Sequence, residues 1–181
     1  MTSALSPTLT PLDEENLELA MAQAKKSLSE GGIPIGAVLY HHATGKVIAQ
    51  GHNQRAQKSS LILHGEMDCL ESLGRIPDLI KVLSDCTMYS TLSPCIMCTS
   101  TILMYGIPRV VFAENKNFVG GESLFLSPPS PPLSTAYAKP RILINACLKQ
   151  AEEMMGDWIK SEAGAKLWWE DIGLVGETDM L

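Results

Sequence analysis

Two short motifs constrain this chain more than anything else in it: His64-Gly65-Glu66 and Pro94-Cys95-Ile96-Met97-Cys98. One imidazole and two thiols supply three of the four corners of a tetrahedral zinc site, and a catalytic zinc keeps the fourth corner for water. Any fold of this chain must therefore carry residue 64 to residues 95–98. Glu66, two residues beyond the histidine, can handle protons beside the metal without occupying it. Ser93-Pro94 reads as an N-cap followed by proline in the first helical turn, which places Cys95 and Cys98 on one face of that turn. The positive end of a helix favours thiolate, the form that binds metal.

A structural zinc completed by Cys69, Cys86, Cys147 or His52 is the competing reading, and a redox Cys-x-x-Cys pair is another. A structural site usually pairs two Cys-x-x-Cys knuckles or adds a histidine pair; the sequence has no second knuckle, and His41 and His42 sit in a turn and read as solvated. Cys69, Cys86 and Cys147 lie in apolar-patterned segments and read as small buried hydrophobes.

The remaining sequence is that of one globular α/β domain. Its 181 residues are 45% hydrophobic, enough for a sizeable core. A net charge of −6 argues against a nucleic-acid partner, since such binding draws its affinity from lysine and arginine on phosphates. No apolar run is long enough to span a bilayer, and Met1 to Leu12 has no signal-peptide character, so no membrane partner is expected. An odd cysteine count suggests a reducing compartment; the cytoplasm is the default, and nothing bars the nucleus. Residues 1–12 are expected to be a disordered segment and 13–181 a single domain. Helices are predicted over Asp13–Glu30, His64–Leu73, Pro94–Tyr105 and Ala146–Ala163. Strands are predicted over Ile33–Tyr40, Lys46–Gly51, Cys86–Leu92, Arg109–Ala113 and Arg141–Asn145. Their alternation points to one sheet covered on both faces. Ser127 to Pro132 is proline-rich and reads as a surface loop.

A histidine, a glutamate two residues on and a Pro-Cys-x-x-Cys form the general signature of zinc deaminases acting on nucleobases. Longer stretches narrow the match. Gly31-Gly32-Ile33-Pro34-Ile35-Gly36, Gly51-His52-Asn53, Thr91-Leu92-Ser93-Pro94-Cys95, Met104-Tyr105-Gly106-Ile107-Pro108-Arg109, Glu114-Asn115-Lys116-Asn117-Phe118 and Trp168-Trp169-Glu170-Asp171-Ile172-Gly173 closely resemble fungal cytosine deaminase. The resemblance runs in order from Glu30 to Gly173, interrupted between Val119 and Pro140. The proline-rich stretch, the extension past Gly173 and Trp169 depart from the family pattern; none touches a metal or proton-transfer position.

The resemblance implies a three-layer α/β/α sandwich around a five-stranded mixed sheet, cytidine deaminase-like, assembled as a homodimer with one zinc ion per subunit. It implies hydrolysis of cytosine to uracil and ammonia in pyrimidine salvage, with 5-fluorocytosine also accepted. His64, Cys95 and Cys98 take the metal role and Glu66 the proton shuttle. Asn53 and Asp171 take the polar contacts to a small nucleobase, with Phe118, Trp168, Ile35 and Leu92 as walls. A carboxylate at Asp171 accepts the N1–H of a free base, which a nucleoside lacks. A tRNA adenosine deaminase is the nearest rival, but it usually has alanine between the histidine and glutamate and needs a basic surface. Guanine deamination and a non-catalytic zinc-stabilised module are the others.

Overall fold

The computed structural model describes residues 9–127 and 141–172, with backbone alone for 169–172. Its elements run α1 (Pro11–Ser29), β1 (Gly36–His41), β2 (Lys46–His52), α2 (Arg55–Lys58), α3 (Gly65–Leu73), α4 (Leu79–Leu83), β3 (Cys86–Ser90), α5 (Ile96–Met104), β4 (Arg109–Phe112), α6 (Glu122–Leu126), β5 (Ile142–Asn145), α7 (Lys149–Lys160) and α8 (Glu162–Ile172). The strands form one sheet in the order β2-β1-β3-β4-β5. β1 pairs antiparallel with both β2 and β3, whereas β3, β4 and β5 run parallel. The sheet is therefore mixed and five-stranded, as the resemblance implies.

Strand alternation sends side chains to two cores. Val38, Tyr89, Val111 and Ile144 face α1 and α7, packing on Leu17, Ala20, Met21 and Ala151. Leu39, Met88, Val110 and Phe112 face the other way, against Cys69, Leu83, Ile102, Leu103 and Phe125 from α3 to α6. Helices on both faces complete the α/β/α sandwich.

The first helix begins at Pro11, two residues before the sequence suggests. Thr10 Oγ1 accepts from the Asp13 amide at 3.2 Å while Asp13 Oδ2 accepts from the Thr10 amide at 2.9 Å, a reciprocal capping box ahead of proline at N1. Asp13 also receives Arg109 through both guanidinium nitrogens, at 2.6 and 2.9 Å, and the Tyr89 hydroxyl at 2.8 Å. This buried cluster ties α1 to β3 and β4.

Strand β1 starts at Gly36 rather than Ile33, because the Ile35 amide turns back onto the Ile33 carbonyl at 2.7 Å. Ile33 and Ile35 then leave the sheet for a third cluster with Leu92, Met155, Trp158 and Trp168. Gly51 in β2 lets α3 lie directly on the sheet: a Cβ there would overlap the Cys69 amide nitrogen. The helix expected over Ala146–Ala163 runs from Lys149 to Lys160, and a further helix, α8, follows it. Ser161 breaks it in extended conformation (ψ 157°), and its Oγ accepts from the Gly164 amide at 3.1 Å. Gly164 permits the sharp turn, since a Cβ there would overlap the Trp158 carbonyl oxygen. Pro128 to Pro132, the first eight residues and the tail beyond Ile172 lie outside the described residues. Among the described residues no helix is long and apolar enough to cross a membrane.

Candidate active site

His64 is the N-cap of α3 and Cys95 the N-cap of α5. The sequence places the cap of the second helix at Ser93. Instead Ser93 hands that place to Cys95, while its Oγ donates to Glu122 at 2.9 Å and accepts from the Gly120 amide at 3.1 Å. Cys98 follows in the first turn of α5, fully buried. Two helix N-termini thus converge. His64 Nδ1 lies 3.4 Å from Cys95 Sγ, and Cys95 Sγ lies 3.6 Å from Cys98 Sγ.

Those separations test the fit of a zinc ion. Bond lengths of about 2.3 Å to sulfur and 2.05 Å to nitrogen, at tetrahedral angles, put ligand atoms about 3.8 Å (S···S) and 3.6 Å (S···N) apart. The observed edges fall within a few tenths of an ångström of these, and all three donor atoms lie within 4.8 Å of one another. The donor set therefore fits zinc. A protein-supplied fourth corner does not fit among the residues the sequence offered. His52 Nε2 is engaged by Glu30 Oε2 at 2.8 Å, and among the described residues the cluster of donor atoms close enough to share one ion comprises His64, Cys95 and Cys98, without Cys69 or Cys86, which are buried in the core. Cys147 is exposed, not buried as its pattern suggested: it occupies a left-handed turn (φ 51°) between β5 and α7.

The electrostatics suit a cation. The hydrogen bond with Cys98, reinforced by His64, pulls the Cys95 thiol down to about 4. The same hydrogen bond and burial push Cys98 well above the ordinary thiol value. A bound cation would favour the thiolate form of both sulfurs. Burial works against protonation of His64, but the hydrogen bond and charge of Cys95 more than offset it and raise that group. Glu66, in the first turn of α3 and 3% exposed, is raised by burial and then by Cys95. Ser90 Oγ donates to Glu66 Oε1 at 2.8 Å.

These groups form one end of a cavity of about 390 Å³, and the structure brings Ile35, Asn53, His64, Glu66, Leu92, Cys95, Phe118 and Trp168 together in its lining. Asn53 is pinned on three sides. Its amide donates to the Ile35 carbonyl at 2.8 Å, its carbonyl accepts from Ser27 Oγ at 2.8 Å, and its Oδ1 accepts from the Arg55 amide at 3.0 Å. Because an N–H must face an oxygen, the last contact fixes the side-chain orientation. The Asn53 NH₂ group has no partner among the described residues. Asn53 thus performs the turn role and still offers a donor.

Phe118 meets Trp168 edge-to-face at 5.9 Å, and Trp168 meets Trp158 in the same way at 6.3 Å. The loop bearing Phe118 is held by buried Glu114, which accepts from the amides of Lys116 and Asn117 at 2.7 and 3.1 Å. Asp171 falls in the last turn of α8, and its side chain lies outside the described residues.

The sequence reading missed Ser90, Trp158 and Glu114. Ser90 is a polar residue closing an otherwise inward-facing strand just before the cysteine motif, which is a weak signal. Trp158 was legible only as an apolar position of a helix, and Glu114 only as part of a resembling segment.

A buried carboxylate that shares a cavity with the three residues that would hold zinc is the feature that distinguishes a hydrolytic deaminase from a structural zinc knuckle. Residues 10–114 match the cytidine and deoxycytidylate deaminase zinc-binding region, and the chain belongs to that family. The matched stretch stops before Phe118 and the two C-terminal helices. More particularly, a cytosine deaminase from Candida albicans is 45% identical over 161 residues, spanning 89% of this chain and 97% of that protein. A tRNA-specific adenosine deaminase from Streptococcus pyogenes is 34% identical over 110 residues, 60% of this chain and 67% of that protein. Among solved structures, a guanine deaminase from Nitrosomonas europaea shares the fold with a TM-score of 0.57 at 17% identity, over 87% of this chain and 97% of that one.

Proposed function

We propose that this protein hydrolyses cytosine to uracil and ammonia, with His64, Cys95 and Cys98 holding one zinc ion and Glu66 moving the protons. The observation that carries the proposal is Glu66: a buried carboxylate beside a three-donor set, in a cavity with room for a nucleobase. Zinc, when bound, supplies the Lewis acidity that makes water a nucleophile near neutral pH. Glu66 takes the proton released as the water oxygen bonds to C4, and delivers it to ring N3. It then carries the second proton of that water to the exocyclic amine, which leaves as ammonia when the C4–N bond breaks. A carboxyl raised by burial holds a proton more readily than an exposed one, which suits a group that must both accept and donate.

Ile35, Leu92, Phe118 and Trp168 flank the ring, the Asn53 NH₂ donates to its carbonyl oxygen O2, and Asp171 accepts from N1–H. A carboxylate in that role favours the free base over the nucleoside, whose sugar occupies N1. A fluorine at C5 adds little bulk, so 5-fluorocytosine is a second substrate. A nucleobase deaminase of this kind serves pyrimidine salvage in the cytoplasm, without nucleic acid as a partner; the net charge of −6 supports the latter. A homodimer is supported by exposed apolar side chains at Leu61, Ile62, Ile96 and Met104 around the α3 and α5 face.

Zinc analysis together with ammonia release from cytosine, 5-fluorocytosine, cytidine, guanine and adenine tests the reading. One zinc per chain and turnover of cytosine at least a hundredfold above cytidine are expected. Preferred turnover of guanine or adenine overturns the substrate, and light scattering at the mass of one chain overturns the dimer.

A further inference from the structure

Ser90 stands at the carboxyl end of β3, the central strand of the sheet, and is fully buried. Its backbone is held on both sides: it pairs with Ala37 of β1, and its carbonyl accepts from the Ala113 amide at 2.9 Å. Its hydroxyl reaches Glu66 Oε1 at 2.8 Å. Glu66 comes from the opposite side, on a separate helix, through a side chain with three rotatable bonds. A hydroxyl fixed in the sheet thus gives a rigid anchor to an otherwise adjustable carboxyl, which also meets the Cys98 thiol.

We propose that Ser90 is a positioning residue for the deamination, orienting the Glu66 carboxyl so that one oxygen, Oε2, carries every proton while Oε1 remains bound to the hydroxyl. This rests on the proton-shuttle reading of Glu66. The Ser90 hydrogen directed at Oε1 occupies the lone pair on which a shuttled proton would otherwise be misplaced. It also fixes the rotation of the carboxyl about its last bond. The same oxygen then faces the attacking water, ring N3 and the departing amine in turn, without the carboxyl rotating between steps. Ser90 touches neither the cavity nor the metal donors in this arrangement, so its removal alters the shuttle and not the binding of the ring.

Two variants separate this from a packing role. In Ser90→Ala the hydroxyl is gone; in Ser90→Thr it is retained with one added methyl group. With zinc content and Tm measured alongside, Ser90→Ala is expected to lose about tenfold or more in kcat, the scale of one hydrogen bond to a charged group. KM should stay within about twofold, and Ser90→Thr should restore most of the loss. A crystal structure of Ser90→Ala should show the Glu66 carboxyl rotated or in two orientations, a readout that needs no turnover. Unchanged kcat at equal zinc content, a rise in KM with kcat intact, an equal loss in both variants, or an unmoved carboxyl overturns the proposal. Failure of the parental protein to release ammonia from any base overturns the proton-shuttle reading instead, and the crystallographic arm still decides whether Ser90 orients Glu66.

Discussion

Asn53→Asp separates the two tasks that one side chain performs. The Arg55 amide needs only an oxygen from residue 53, and a carboxyl supplies one, so the turn after β2 is preserved. The NH₂ aimed at the cavity is replaced by an acceptor that would face the O2 acceptor of the base. Losing a buried donor and setting two acceptors against each other costs about 3–4 kcal/mol in the transition state, or about 10²- to 10³-fold in kcat/KM. The position is 1% exposed and lines the same cavity as Glu66, so burial raises the introduced carboxyl and a like charge across the cavity adds to it. Below its raised pKa that carboxyl is protonated, and its O–H can donate where the NH₂ did. The deficit relative to the parental protein should therefore shrink as pH falls from 8 to 6. Asn53→Ala lacks both groups, so its deficit should not change with pH, and its Tm should drop by about 2–4 °C for a lost turn bond of about 1 kcal/mol. Steady-state ammonia release across that pH range decides the matter. A kcat/KM for Asn53→Asp within threefold of the parental value at pH 7.5 refutes a donor role for Asn53.

Glu66→Gln should retain zinc and Tm while ammonia release falls by about 10²- to 10⁴-fold, the usual range for a lost general acid–base; near-parental turnover removes the proton path. Cys98→Ser should lose zinc by elemental analysis yet keep its far-ultraviolet circular dichroism, because both cores are built without the metal. Asp13→Ala breaks a buried ion pair at the end of the sheet away from the site and should cost about 3–5 kcal/mol by urea unfolding, with kcat unchanged. In the folded protein the Asp13 carboxyl is held well below its ordinary value: burial opposes this, but Arg109, Thr10 and Tyr89 prevail. Its contribution is therefore complete above the unfolded carboxyl pKa of about 3.9 and is lost as pH falls below it. The stability gap between the parental protein and Asp13→Ala should narrow below pH 4.

The sequence carries the sheet and the metal donors well because both depend on local pattern. Runs such as Met88–Tyr89 and Val110–Phe112 are apolar whichever face they meet, and the cysteine spacing is a chemical fact before it is a structural one. What it obscures is decided by contacts distant in the chain. Ile33 and Ile35 look like strand residues, and only the partners Trp158 and Trp168 show why they leave the sheet. The shift of a helix cap from Ser93 to Cys95 depends on Glu122 and Gly120 engaging the serine hydroxyl. Ser161 ends the helix expected to run to Ala163 and α8 follows it, because apolar periodicity does not register a capping hydroxyl followed by a glycine that tolerates a touching carbonyl.

The cavity is assembled from pieces of chain with separate duties. Metal donors and carboxylate come from the segment that runs from β2 into α5, whereas Phe118, Trp158 and Trp168 come from beyond β4 and touch one another and the aliphatic side chains of Ile33 and Ile35, before β1, and of Leu92. The aromatic wall can consequently be altered without touching the metal donors. Exchange of the C-terminal helical pair, with Gly120 and Glu122 kept to hold Ser93, offers a route to a new preferred base that leaves Glu66 and the metal donors in place.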